Sequence, residues 1–247
     1  MVEKSCAMNK TKIEWADYTW NPIKGLCPVG CWYCYARKTY KRFGEQIMGD
    51  YEDEEGGSSL DINTPFLADP EAEKFPKKAS RIFVCSTFEL FHPIADQWRD
   101  DIFKVIEFHP EHTFFILTKL PQNIDCPMPE NVWLGVSVET TMDMWRLAQI
   151  KKYPKSFVSF EPLMGPISMP EFVVSLDWIK WVIVGRLTGY GKMRDPELDW
   201  IKYVAGTAEG QNVPVFLKNN LSGIWPGKLI QEYPKEWISQ NQHHPKS

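Results

Sequence analysis

Three cysteines, Cys27, Cys31 and Cys34, lie within eight residues near the beginning of the chain. This spacing lets their thiolates converge on one metal centre from a single tight loop. Gly25 and Gly30 allow a sharp backbone path and a close approach of backbone N–H groups to that centre. A structural zinc site needs four protein ligands, and a bacterial ferredoxin cluster normally takes four cysteines. Three thiolates would leave one iron of an iron–sulfur cubane without a protein ligand and open to another group.

Two simpler interpretations of these cysteines stay open. One is a zinc site whose fourth ligand is Cys6, Cys85 or a histidine. The other is three unrelated buried cysteines, although free cysteines seldom cluster in this way. The six cysteines of the chain, at positions 6, 27, 31, 34, 85 and 126, are too unevenly spread for the disulfide framework of a small secreted domain.

The composition restricts the class of protein. The chain has 28 basic and 32 acidic side chains and a net charge of −4, which excludes a strongly basic nucleic-acid-binding protein but not a local basic patch. The N-terminal residues contain no apolar run like that of a signal peptide, and no stretch elsewhere is long and apolar enough to span a membrane. We therefore expect a cytoplasmic protein with no membrane partner.

Short apolar runs alternate with longer amphipathic stretches along the chain. Continuous runs such as FILT and WVIVG are typical of parallel strands buried on both faces. The predicted strands are Tyr18–Ile23, Arg81–Ser86, Thr113–Thr118, Val132–Val138, Ser156–Phe160, Trp181–Val184 and Pro214–Leu217. The predicted helices are Tyr35–Phe43, Ala95–Glu107, Thr141–Lys152 and Asp199–Glu209.

This alternation predicts an α/β fold with right-handed βαβ crossovers and a parallel sheet. Six or seven such units indicate a barrel, complete or partly open, as one domain over residues 1–231. An open doubly wound sheet is the competing arrangement. The acidic segment 49–63, rich in Gly and Ser, is expected to be a mobile insert; its alternative, a carboxylate metal site, lacks the residue order of a calcium loop. Residues 232–247 are expected to form a loose C-terminal extension.

Polar residues follow several predicted strands, at the end of a parallel barrel where chemistry collects. Lys119, Glu161 and Lys218 are the candidate catalytic residues, since each could bind an anionic substrate or transfer a proton. A solvated loop charge or a strand cap is the alternative for each residue alone. Polar residues at six strand ends together favour a shared pocket.

Three histidines lie near turns. His92 precedes Pro93 and is expected to have a structural role. His109 and His112 flank Pro110 between a predicted helix and a predicted strand, and we expect both at the surface.

The predicted helix after the cysteines carries a basic face with an i, i+4 spacing, made of Arg37, Lys38, Lys41 and Arg42. Tyr40 and Phe43 lie between these cations in the sequence. Such a face could contact the phosphates of DNA or RNA. A solvated helix face that balances the acidic insert is the alternative.

The pattern Cys-x3-Cys-x-aromatic-Cys, with Tyr33 at the aromatic position, resembles the signature of the radical S-adenosylmethionine (SAM) superfamily. In that superfamily SAM binds the open iron of a [4Fe–4S] cluster, and an electron from the cluster cleaves it to a 5′-deoxyadenosyl radical. The resemblance implies these two cofactors, an external electron donor of the flavodoxin or ferredoxin type, and hydrogen abstraction from an unreactive carbon. It also implies a partial TIM-like (β/α) barrel.

Longer segments extend the resemblance. In order, TKIEWADYTWNPIKG, FFILTK, NVWLGVSVE, FVSFEPLMGPI and DWIKWVIVG resemble a phage and bacterial family of uncharacterised three-cysteine-motif proteins, over about Thr11 to Lys218. Many members have a longer gap between the first two cysteines, and Gly-Gly-Glu-Ser-Gly where this chain has Gly185-Arg-Leu-Thr-Gly189. The family is distantly similar to spore photoproduct lyase, which favours a nucleic acid base or nucleotide as substrate. The alternatives are a small metabolite or peptide as substrate, or a non-catalytic metal-binding protein.

The resemblance also assigns residues to the cofactors. The segment after the second predicted strand stands where radical SAM enzymes place a Gly-Gly-Glu-like segment that binds the SAM amino group, although both glycines are absent. Polar residues of the fourth strand commonly meet the SAM ribose or carboxylate, and the loop after the sixth strand matches part of an adenine-contact pattern. The residues assigned to the cofactors are Tyr33, Ser86, Thr87, Glu89, Ser137, Glu139 and Gly185.

Overall fold

The computed structural model describes residues 8–48, 61–71, 73–168, 176 and 178–240. Cys6, residues 49–60 of the predicted insert and the last seven residues lie outside the described residues. The strands are β1 (Asn9–Lys10), β2 (Tyr18–Trp20), β3 (Ile23–Lys24), β4 (Phe66–Leu67), β5 (Arg81–Val84), β6 (Thr113–Thr118), β7 (Val132–Ser137), β8 (Ser156–Phe160), β9 (Trp181–Val184) and β10 (Val215–Leu217). The α-helices are α1 (Tyr35–Met48), α2 (Asp96–Phe108), α3 (Trp145–Gln149), α4 (Leu198–Gly210) and α5 (Lys235–Gln240).

Most predicted elements are present. β6, β8 and β9 begin and end at the predicted residues, because their apolar runs are bounded by polar or turn-forming residues. Helix α3 is much shorter than predicted, and a 3-10 turn over Thr141–Asp143 precedes it. The Asp143 carboxylate accepts the backbone N–H groups of Glu139 and Thr140 at 3.0 and 3.1 Å, so it caps a tight turn where a regular helix was expected.

The chain forms two compact units that divide between Trp133 and Leu134, within β7. In the first unit β1 pairs antiparallel with β2, and β2, β5 and β6 are parallel neighbours. Trp20, Ile82 and Phe114 are fully buried side chains of these strands. β3 and β4 form a separate two-stranded antiparallel sheet. The parallel pairing brings the C-terminal ends of β2, β5 and β6 to one edge of the sheet.

In the second unit β7, β8, β9 and β10 are parallel neighbours in that order. Every residue of β8, β9 and β10 is buried, as continuous apolar runs predict for parallel strands. Helix α4 buries Ile201, Val204 and Ala208. The ends of β8, β9 and β10 place Glu161, Gly185 and Lys218 next to their strands.

The fold class is α/β, with the strand order β1-β2-β5-β6 in the first unit and β7-β8-β9-β10 in the second, and with parallel pairing everywhere in these two orders except between β1 and β2. Within each unit this order follows the chain, without the reversal typical of a doubly wound sheet. No closed sheet is found among the described strands, so the partial barrel stays a prediction, as does one domain over residues 1–231. None of the helices in the described part of the chain is long and apolar enough to cross a membrane.

The prediction of a loose C-terminal extension is wrong for residues 232–240. The Glu232 backbone N–H donates to the Val215 carbonyl at 2.8 Å, and the Trp181 indole donates to the Glu232 carbonyl at 2.8 Å. Trp237 of α5 is 6% exposed, and its ring centroid lies 4.8 Å from that of Trp181. This aromatic contact anchors the segment, and the prolines and weak apolar periodicity of the sequence did not reveal it.

Candidate functional site

The loop with the three predicted metal ligands connects β3 to α1. The Cys34 backbone N–H donates to the Cys31 carbonyl at 3.1 Å, and helix α1 begins at the next residue, Tyr35. Gly25 has a φ of +102°, and a Cβ atom there would lie 2.9 Å from Cα of Pro65. A side chain at position 25 would therefore be strained and would collide with backbone, which explains the glycine before the cysteines.

Two side chains of α1 hold this loop. Arg37 Nη2 donates to the Cys27 carbonyl at 2.8 Å, and the Gly25 backbone N–H donates to the Tyr40 hydroxyl at 3.1 Å. Tyr40 is buried and packs in one cluster with Leu26. Of the four cations of the predicted basic face, Arg37 supports the loop, while Lys38, Lys41 and Arg42 are exposed; contact of this face with a nucleic acid stays a prediction.

The thiols of the loop are half-buried. None of the five described cysteines is in a disulfide. Burial raises the pKa of Cys27. Backbone hydrogen bonds from Val29 and Glu89 lower this pKa, whereas the charges of the Glu89 carboxylate and Cys31 raise it further. A cation bound to this thiolate would compensate for the burial of its negative charge.

The three sulfurs are not arranged as ligands of a single ion. Cys27, Cys31 and Cys34 are not among the described side chains that bring three ligand atoms within 4.8 Å of one another. A tetrahedral zinc ion with Zn–S bonds of about 2.3 Å would hold its sulfurs about 3.8 Å apart. An iron–sulfur cubane is larger and places its cysteine ligands on separate irons. The cluster and the zinc alternative both stay predictions.

Glu89, assigned from the resemblance to the SAM amino group, lies buried beneath the loop. Its Oε1 accepts the Thr118 hydroxyl at 2.6 Å and the Phe91 backbone N–H at 3.2 Å, and its Oε2 accepts the Lys119 backbone N–H at 2.8 Å. Burial raises the pKa of this carboxyl in spite of these bonds. Both oxygens are bonded within the protein, so Glu89 connects the end of β5 to the end of β6; its role toward SAM stays a prediction.

Lys119, a predicted catalytic residue, lies against the cysteine loop. Its Nζ donates to the Tyr33 hydroxyl at 2.6 Å and is 5.3 Å from the centroid of that ring. Tyr33 lies between Cys31 and Cys34 in the sequence, so the contact joins a cation to the cysteine loop. The structure thus brings together one predicted catalytic residue and one predicted cofactor-binding residue.

Ser86 and Thr87, also assigned to SAM, are held by a residue that sequence reasoning missed. Asn21 Oδ1 accepts the Ser86 hydroxyl at 3.0 Å and the Thr87 backbone N–H at 3.2 Å. The Tyr35 hydroxyl donates to the Ser86 carbonyl at 3.2 Å. Asn21 directly follows β2, and its position as a polar residue at a strand end was the signal available in the sequence.

The second unit contains a compact site of its own. Lys218 Nζ and Glu161 Oε1 are 2.5 Å apart, and the two side chains are mostly buried. A Cβ atom at Gly185 would lie 3.0 Å from Cδ of Glu161 and 3.0 Å from Cδ of Lys218. Three predicted site residues thus meet at the ends of three strands, and the missing side chain of Gly185 makes room for the ion pair.

Ser137 and Glu139, the other residues assigned to SAM, lie at the end of β7. Ser137 is buried, and its carbonyl accepts Arg146 Nη1 at 2.8 Å. Glu139 is half-buried, and its carbonyl accepts the Met164 backbone N–H at 2.8 Å. Their contact with SAM stays a prediction, as does that of Gly185.

Residues 10–237 match a protein family described as "Protein of unknown function (DUF5131)", and the chain belongs to this family. No curated protein matches the chain significantly. No solved structure does either.

Proposed function

We propose that this DUF5131 protein is a radical SAM enzyme that holds a [4Fe–4S] cluster on Cys27, Cys31 and Cys34. The observation that carries the proposal is the cysteine loop itself. Three half-buried thiols lie on one glycine-containing loop, and none of them is in a disulfide. When bound, the cluster and SAM supply a 5′-deoxyadenosyl radical that abstracts hydrogen from the substrate.

The chain supplies position and electrostatics to this site. The N–H groups of Val29 and Glu89 that act on Cys27 favour its thiolate form. Lys119 adds a positive charge beside the loop through its hydrogen bond to Tyr33. Hydrogen bonds to the sulfurs and net charge nearby set the reduction potential of an iron–sulfur cluster. These residues therefore support electron acceptance from a flavodoxin- or ferredoxin-type donor.

The surface beside the loop supports a nucleic acid as substrate. Lys38, Lys41 and Arg42 are exposed on α1. Trp32 and Tyr35 are exposed by 55% and 59%. Cations that bind phosphates and aromatic rings that stack on bases are the two components of single-strand binding surfaces. A nucleic acid base or nucleotide is therefore the proposed substrate class, ahead of a small metabolite or peptide.

Anaerobic reconstitution tests the proposed class. The full chain, incubated with iron and sulfide and then with SAM and dithionite, should release 5′-deoxyadenosine. The Cys31→Ala variant should release none, whereas Cys126→Ala should behave as the wild type. Cys126 is a suitable control because it is half-buried like the three ligands. One zinc ion per chain without iron, or an intact cluster without 5′-deoxyadenosine, would reject the radical SAM assignment.

A further inference from the structure

His109, Glu111 and His112 form a compact group in the segment between α2 and β6. His109 Nδ1 lies 3.1 Å from Glu111 Oε1, and His112 Nε2 lies 3.5 Å from the same oxygen. One ligand atom from each residue lies within 4.8 Å of the other two. We propose that these three side chains bind a divalent transition-metal ion of the zinc class, at a site that uses none of the three cysteines.

The distances suit a tetrahedral ion. Zinc binds imidazole nitrogen and carboxylate oxygen at about 2.0–2.2 Å, so two ligand atoms of a tetrahedral site lie about 3.3–3.5 Å apart. The two measured distances to Glu111 Oε1 are close to this spacing. An ion could therefore bind with side-chain movements of a few tenths of an ångström on these two edges.

His112 gives an independent reason to expect a ligand. Its side chain is fully buried, which contradicts the surface position expected from the sequence. Neither ring nitrogen has a partner at full hydrogen-bonding geometry among the described residues, although the Pro76 backbone lies close enough to act on the imidazole. Buried polar groups without partners are rare and costly. Because Nε2 faces the Glu111 carboxylate at 3.5 Å, a metal bound between them would give this nitrogen a partner.

Neighbouring contacts hold the group in place. The Phe75 ring stacks on His109, with centroids 4.1 Å apart and planes 23° from parallel. Asn131 Nδ2 donates to the carbonyls of Ile106 and His109 at 2.9 and 3.0 Å. The His112 backbone N–H donates to the His109 carbonyl at 3.1 Å. The ligands therefore lie on a preorganised turn, which lowers the entropic cost of binding an ion.

The ligand types select the metal. Two imidazoles and one carboxylate form the three-ligand set of catalytic zinc sites, which leaves a fourth position for water or another ligand. Calcium and magnesium prefer sites made of oxygen ligands alone. The Glu111 side chain is 48% exposed, so an ion can reach the group from solvent.

Zinc titration tests the site directly. The titration uses the full chain with Cys27→Ser, Cys31→Ser and Cys34→Ser, which removes the thiolates of the cysteine loop and separates this test from the cluster proposal. Zn²⁺ added in competition with a chromogenic chelator should bind at one ion per chain. In the same sample, nitrogen NMR should show metal-induced shifts of the His109 and His112 rings. Absence of binding, or shifts confined to other histidines, would overturn the site.

Substitution of the exposed ligand Glu111 can be compared with the same substitution at an exposed glutamate outside the site. Glu111→Gln in the same background should weaken zinc binding at least about tenfold, the lower bound for loss of an outer-shell partner of a metal ligand. Glu107→Gln, at an exposed position of α2, should leave the affinity unchanged. Zinc should raise the Tm of the parent protein more than that of Glu111→Gln, because a ligand stabilises the folded state that binds it. Equal affinities in the parent and Glu111→Gln would refute the proposal.

Discussion

Lys119 Nζ donates a 2.6 Å hydrogen bond to the hydroxyl of Tyr33, which joins the end of β6 to the cysteine loop. The Lys119 backbone N–H also donates to Glu89 at 2.8 Å, so both ends of the residue are held. If the loop binds the proposed cluster, we expect this cation to influence its reduction potential.

The first prediction follows from this contact. Lys119→Met should retain the cluster and lower its reduction potential, because the reduced, more negative state loses a nearby positive charge. An EPR-monitored redox titration of the reconstituted protein measures the change. Lys119→Arg should keep the potential near that of the wild type, and Lys104→Met, at an exposed lysine of α2, is the control. An unchanged potential in Lys119→Met would show that the cation does not act on the cluster.

The second prediction concerns metal content. Cys27→Ala, Cys31→Ala and Cys34→Ala should each abolish the cluster, because a cubane seldom survives with two protein thiolates. Cys85→Ala and Cys126→Ala should retain about four irons and four sulfides per chain, the content of one [4Fe–4S] cluster. Iron and sulfide analysis of anaerobically reconstituted protein gives the result. Full iron content in any of the first three variants would exclude that residue as a ligand.

The third prediction tests the close approach at Gly185. Gly185→Ala should destabilise the protein by about 1–3 kcal/mol, since its Cβ would press on both members of the Glu161–Lys218 pair. Gly206→Ala is the matched control, because α4 leaves open space around that position. In the helix interior, alanine should instead stabilise by about 0.5–1 kcal/mol. Urea unfolding of both variants measures the free energies, and an unchanged free energy of unfolding in Gly185→Ala would contradict the close packing of Gly185 against the ion pair.

The fourth prediction concerns the proposed nucleic acid substrate. The protein should bind single-stranded DNA or RNA with an affinity that falls as salt rises, because cations of α1 displace counterions from phosphates. Lys38→Glu together with Arg42→Glu should flatten the dependence of log affinity on log salt by about two contacts. A fluorescence anisotropy titration over several salt concentrations measures this slope.

A charge-matched variant controls for net charge in that experiment. Lys77→Glu with Lys78→Glu makes the same change at exposed positions before β5. The slope should then stay at the wild-type value. Binding that is absent at low salt, or equally weakened by both double variants, would favour a small metabolite or peptide as substrate.

The fifth prediction tests the anchoring of the C-terminal segment. Trp237→Ala should destabilise the protein by about 3 kcal/mol, at the lower end of the cost of removing a buried aromatic ring. Trp237→Phe should cost less, because it keeps an aromatic ring against Trp181. Thermal unfolding followed by circular dichroism gives both values. A wild-type Tm in Trp237→Ala would indicate that this contact contributes little to stability.

The sequence determined the features that depend on neighbouring residues. Continuous apolar runs set the limits of β6, β8 and β9. A strand that is buried on both faces needs a continuous apolar run, and the turn-forming residues on either side of the run end the strand. The cysteine spacing placed three thiols on one loop before α1. Both features can be read within a window of about ten residues, the length over which periodicity and turn chemistry act.

Only the tertiary structure decided which distant side chains meet. Glu161 and Lys218 are 57 positions apart in the sequence, and parallel pairing brings them together. The burial of Tyr40 and His112 was likewise hidden, because a polar or aromatic side chain takes either a surface or a core position according to what packs over it. Long-range packing therefore fixed the contacts of the candidate sites, because such contacts depend on the order of strands in the sheet and not on local residue pattern.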